Sequence, residues 1–94
     1  MKLKIKFEKP ISVKSLAKLL SLQNWEFNHT LDYFAGIYRT ERIIGLLSEG
    51  NFRNVIEMIF ICDCIWIEDF FLNDLDRSQN VFTVDVIRGE HSCF

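Results

Sequence analysis

Met1-Lys2-Leu3-Lys4-Ile5-Lys6-Phe7 opens the chain, and Ser12-Val13-Lys14-Ser15-Leu16-Ala17-Lys18-Leu19-Leu20 follows within a few residues. The first run alternates strictly: Met1, Leu3, Ile5 and Phe7 share one side, and Lys2, Lys4 and Lys6 share the other. Successive side chains of a strand point to opposite faces, so the run is a half-buried β-strand. In the second run Ser12 is a good N-cap, and Val13, Leu16, Ala17 and Leu20 fall at i, i+3, i+4 and i+7. That spacing makes one apolar stripe on an amphipathic helix. A period of two followed directly by a period near 3.6 marks an α+β chain.

The same alternation returns from Trp25 to Tyr38. Trp25, Phe27, Leu31, Tyr33, Ala35 and Ile37 all occupy odd positions, with Asn28, His29 and Thr30 as the expected turn between two strands. Thr40 is read as the cap of a second short helix, with Ile43, Ile44 and Leu47 as its stripe and Gly50 just past its end. Asn51 to Leu72 supports two readings. Asn51 as cap with Phe52, Val55, Ile56 and Ile59 would be helical, whereas the β-branched and aromatic residues from Met58 onward favour a buried strand. Asn73 to Asn80 is turn-like, Val81 to Arg88 reads as a last strand, and 89–94 reads as a C-terminal tail. The expectation is one α+β domain over 1–94 in the order β-α-β-β-α-β-β. It has a mostly antiparallel sheet of four to five strands and two helices on one face, a ferredoxin-like arrangement.

Composition bounds the class. Ninety-four residues suit a single domain, and 49% of them are apolar, nine being Phe. So small a domain cannot bury every ring, which leaves some for a partner. No apolar run reaches the roughly 18–20 residues that span a bilayer. No signal peptide is expected, and three cysteines do not suggest a disulfide framework, so the expected setting is reducing and cytoplasmic, without a membrane role. The net charge of −2 divides unevenly: residues 1–53 carry nine basic and five acidic groups, and 54–94 carry two basic and eight acidic ones. A dipolar chain would suit pairing with a second copy or with a charged partner, but the expectation is that the two halves interleave in the fold and the asymmetry vanishes.

The opening residues Phe7, Pro10, Ile11, Ser12, Leu16, Ala17, Leu19 and Leu20 resemble the start of the N-terminal, uridine-binding domain of the UDP-3-O-acylglucosamine N-acyltransferases. The resemblance implies a strand, a cap and an amphipathic helix over this stretch. No hexapeptide repeat follows, the family's Gly-Asp turn is missing, and neither His29 nor His91 stands in a context that matches its catalytic His. No activity or site residue is carried over.

Four sets of residues are candidates for chemistry. Cys62 and Cys64, two apart, would share a strand face, and with His91 and Cys93 they would make a Cys₃His set for zinc or a thiol-dependent site. The C-x-C spacing is unusual for zinc, no base is placed beside a thiol, and buried free cysteine is common, so no cofactor and no metal are expected. Glu68, Asp69, Asp74 and Asp76 are expected to be solvated surface. Lys2, Lys4 and Lys6, extended by Arg39, Arg42 and Arg53, would suit nucleic acid, but an acidic chain with no aromatic between these lysines favours a soluble sheet face. Phe70 and Phe71, between acidic and polar neighbours, have the pattern of an interface anchor. The reading that emerges is a small non-catalytic protein-interaction module of the inhibitor, immunity or adaptor kind, or a homodimer, without enzymatic activity. A metal or thiol site and a nucleic-acid face are the alternatives.

Overall fold

The computed structural model describes residues 1–87 as one six-stranded antiparallel sheet with two helices. The elements are β1 (Lys2–Ile11), α1 (Val13–Leu19), β2 (Gln23–Asn28), β3 (Tyr33–Tyr38), β4 (Glu41–Asn51), β5 (Asn54–Cys62), α2 (Glu68–Asp76, preceded by a 3₁₀ turn at Ile65–Ile67) and β6 (Phe82–Val86). Across the sheet they run β2-β3-β4-β5-β1-β6. Four strands form a meander, and β1 then inserts between β5 and β6. The two halves of the chain therefore interleave, and the charge split does not become a basic half facing an acidic half.

The opening strand, cap and helix are as expected. Ser12 Oγ accepts from the Ser15 amide at 3.0 Å, and Leu3, Ile5, Phe7, Val13 and Leu16 are buried. Both helices cover one sheet face. Val13, Leu16, Leu20, Ile67, Phe71 and Leu75 join inward residues of β1, β3, β4 and β5 in a single core.

Three expectations are corrected. The sheet has six strands instead of four to five, and its order is not the ferredoxin-like one. The helix read over Thr40–Gly50 is strand β4, and the second helix lies at Glu68–Asp76. The alternation Ile43, Gly45, Leu47 was hidden because its middle inward position is glycine. Phe34, paired with Gly45, lays its ring where a Cβ would stand, so the missing side chain is itself a packing feature. Gly50 lies where the β4–β5 register shifts, with φ at 107°, and is not a helix end.

Finally, the inward residues of β3 are Phe34 and Tyr38, not the odd-numbered set. Asn28 Oδ1 accepts from the Thr30 and Leu31 amides and tightens the turn as expected. The register then pairs Phe27 with Phe34, which switches the parity of the inward face. Tyr33, Ala35 and Ile37 stand on the opposite, helix-free face, and Leu31 is exposed in the turn. The helical reading of Asn51–Ile59 also gives way to a turn and β5, because Asn51 Oδ1 caps the turn amides of Arg53 and Asn54. The expected 89–94 tail lies outside the described residues.

Candidate interaction site

The site is built around Phe70, and its geometry starts from the residue that follows. Ile67, Phe71 and Leu75 fall at i, i+4 and i+8 and are fully buried. Phe71 stacks on Phe60 with ring centres 3.7 Å apart and meets Tyr38 edge-on at 6.0 Å. Phe71 is therefore core, and the anchor pair reduces to one exposed ring. About 100° round the helix, Phe70 is 44% exposed. Trp66, one turn earlier, is 51% exposed and packs edge-on against Phe70 at 6.0 Å, with exposed Ile65 beside it in sequence.

Arg39 completes the surface from the sheet side. It occupies the two-residue turn between β3 and β4, where Tyr38 pairs with Glu41. Its guanidinium lies 4.4 Å from the centre of the Phe70 ring. Arg39 and Thr40 both have positive φ, 48° and 71°, in a turn that normally takes Asn-Gly. A β-branched residue in this region is unfavourable, so the turn carries local strain at the point where Arg39 is aimed over Phe70.

A buried polar network holds that arginine. The carboxylate of Asp74 is 6% exposed, which corrects the expectation that it is solvated like exposed Asp69 and Asp76. Tyr38 Oη donates to Asp74 Oδ2 at 2.6 Å, and Arg77 donates to Oδ1 at 2.7 Å. Arg39 Nε donates to Tyr38 Oη at 3.2 Å, and its Nη2 lies 3.6 Å from Oδ2. Burial, and then the bond to the Asp74 carboxylate, push the Tyr38 hydroxyl up to about 12. Tyr38 thus stays a neutral donor, and Arg39 is held by a hydroxyl, a carboxylate and a ring at once. A shallow hollow of about 380 Å³ opens beside it, lined by Ser21, Gln23, Arg39, Thr40 and Arg77 among others.

The thiols are placed for a different role. Cys62 is buried at the end of β5, and burial raises its pKa. Cys64 Sγ donates to Glu41 Oε1 at 2.9 Å, and this bond is the main cause of its raised pKa. Both shifts favour the neutral thiol over the thiolate that attacks or ligates. His29 packs against Phe27 and Phe52 at the opposite end of the sheet. His91 and Cys93 lie outside the described residues, and among the described residues no three His, Cys, Asp or Glu converge as a metal group.

Lys2, Lys4 and Lys6 share the helix-free face of β1. Lys4 lies 3.7 Å from Glu57 and registers with Asp85 on β6, so acidic groups interrupt the stripe. Arg39 and Arg53 occupy different turns and do not extend it, whereas Arg42 on β4 stands on the same helix-free face, beside Ile44. Among the described residues no helix is long and apolar enough to cross a membrane. Compared with protein-family models, with curated proteins and with solved structures, the chain matches none. Trp66 and Arg39 were missed in the sequence. The i, i+4 spacing of Trp66 and Phe70 was available as a signal, but nothing local brings Arg39 to them.

Proposed function

We propose that this chain is a small non-catalytic protein-interaction module that docks a partner protein on the edge formed by Trp66, Phe70 and Arg39. One observation carries the proposal: a half-exposed aromatic ring is clamped by an arginine that a buried carboxylate and a buried tyrosine hydroxyl hold in place. Trp and Arg dominate binding hot spots, and an anchor ordered before binding loses less freedom when the partner arrives. The partner that fits would offer an apolar cleft for Phe70 and Trp66, with an acidic group placed to meet Arg39 at its rim.

The test is a comparison of proteins captured from the native host by the wild type, by Phe70→Asp and by Trp66→Ser. All three should show the same circular dichroism, since neither ring is in the core. A partner retained by the wild type and lost from both variants supports the proposal. Identical capture by all three refutes it.

A further inference from the structure

The face of the sheet opposite the helices is apolar at its centre. A solvated antiparallel face normally alternates to polar residues, yet this one presents Tyr33, Ala35 and Ile37 on β3, Ile44 and Leu46 on β4, and Ile59 and Ile61 on β5. Ile44 and Leu46 are 38% and 36% exposed. A band of this kind, flanked by charge, marks an interface.

The register shows what fits it. One cross-strand row reads Glu26, Ala35, Ile44, Ile61, Lys2. The next reads Asn28, Tyr33, Leu46, Ile59, Lys4. Each row is apolar in its middle, with β4 at the centre, and polar at both ends. The β1 position is basic in both rows, with Asp85 of β6 following Lys4 in the second, while the β2 end is acidic in the first row and neutral in the second.

We infer that the helix-free face is a homodimer interface, with a second copy packed face to face about a two-fold axis that runs along β4. Such an axis lays each row on itself reversed. Ile44 meets Ile44 of the partner subunit, and Leu46 meets Leu46 of the partner subunit. The small Ala35, which lines a trough of about 510 Å³ together with Glu26, Arg42, Ile61 and Asp63, receives Ile61 of the partner subunit. Glu26 meets Lys2 of the partner subunit, and Asn28 meets Lys4 of the partner subunit. Opposite charge thus closes the rim of the first row twice over, once at each symmetry-related edge.

The area is also sufficient. The five strands β2 to β1 that this axis superposes, about 4.8 Å apart and on average about 28 Å long, give a face on the order of 650 Å² per subunit, in the lower part of the range around ~800 Å² per partner of a stable complex. Face-to-face sheets pack with their strands within about 30° of each other, so the rows stay in register near the axis. The Phe70 edge belongs to the helical layer and remains open in this dimer, which would present two such edges on its outer sides.

Sedimentation of the full chain at micromolar concentration tests the inference. The wild type is expected to be a dimer. Ile44→Asp and Leu46→Asp should give monomers with unchanged circular dichroism, raising the dissociation constant by about a hundredfold or more. Lys2→Glu and Glu26→Lys should each weaken the dimer by about tenfold, and the double exchange Lys2→Glu/Glu26→Lys should restore it. Both charged residues are on the surface, so this series holds even if an aspartate on β4 unfolds the chain. A monomeric wild type overturns the inference, as does a dimer indifferent to substitutions at Ile44 and Leu46. A double exchange weaker than either single one overturns the axis along β4.

Discussion

Phe70 and Phe71 are adjacent and chemically identical, yet their replacement by alanine should have opposite consequences. Phe71→Ala removes a fully buried ring stacked on Phe60 and set edge-on to Tyr38. Truncation of a buried phenylalanine costs about 3–5 kcal/mol through lost burial and the cavity left behind. A domain of this size holds about 5–10 kcal/mol in total, so Phe71→Ala should remove close to half of it. Phe70→Ala removes a ring that is 44% exposed and whose specific contacts are Trp66 and the Arg39 guanidinium. An exposed cation–π contact is worth about 0.5–1 kcal/mol, so the loss should stay near 1 kcal/mol. In urea, with a slope of roughly 1–1.5 kcal/mol per molar, Phe71→Ala should lower the midpoint by about 2–5 M and Phe70→Ala by no more than about 1 M. Fluorescence of Trp25 and Trp66, checked against far-ultraviolet circular dichroism, follows both transitions. Equal losses in the two variants, or a Phe71→Ala loss under about 1 kcal/mol, would refute the placement of α2 on the sheet.

Other expectations rest on the same contacts. Asp74→Ala strands the buried Tyr38 hydroxyl while both arginines can rehydrate, so denaturation should show a loss of about 1–3 kcal/mol; no loss would mean the carboxylate is solvated. Gly45→Ala drives a methyl group into the Phe34 ring and should cost roughly 1–3 kcal/mol, less when combined with Phe34→Leu; additive costs would contradict the contact. Tyr38 ionises near pH 10 when unfolded and near 12 when folded, so its contribution of about 2–3 kcal/mol is complete below pH 10 and is lost as pH rises towards 12. In a Tyr33→Phe variant, alkaline difference absorbance should show the single remaining tyrosinate forming near pH 12; formation near pH 10 in the folded state would disprove the burial.

How much of this was legible depended on whether the signal was local. β1 and α1 could be read because every inward position carries an apolar side chain and Ser12 stands at the boundary. β4 could not, because Gly45 leaves its inward position blank and Ile43, Ile44 and Leu47 also satisfy a helical spacing. The parity of β3 was lost to the register that a four-residue turn imposes, which only cross-strand pairing reveals. α2 follows a continuous apolar run, so the spacing of Ile67, Phe71 and Leu75 was submerged in it. At the site, Phe70 and Phe71 were both read as interface residues, and only Phe70 is exposed. Its partner Arg39 and the buried Asp74 were not, since they come together across more than thirty residues of chain.

The proposed function makes Phe70, clamped by Arg39, the anchor of a protein interface. Titration calorimetry with the partner captured by the wild type measures this most directly, using Phe70→Ala, Arg39→Ala and, as a control in the distant β2–β3 turn, Leu31→Ala. The dissociation constant should rise by about thirtyfold or more in the first two variants and stay within about twofold in the third. Binding unchanged by Phe70→Ala and Arg39→Ala would contradict it.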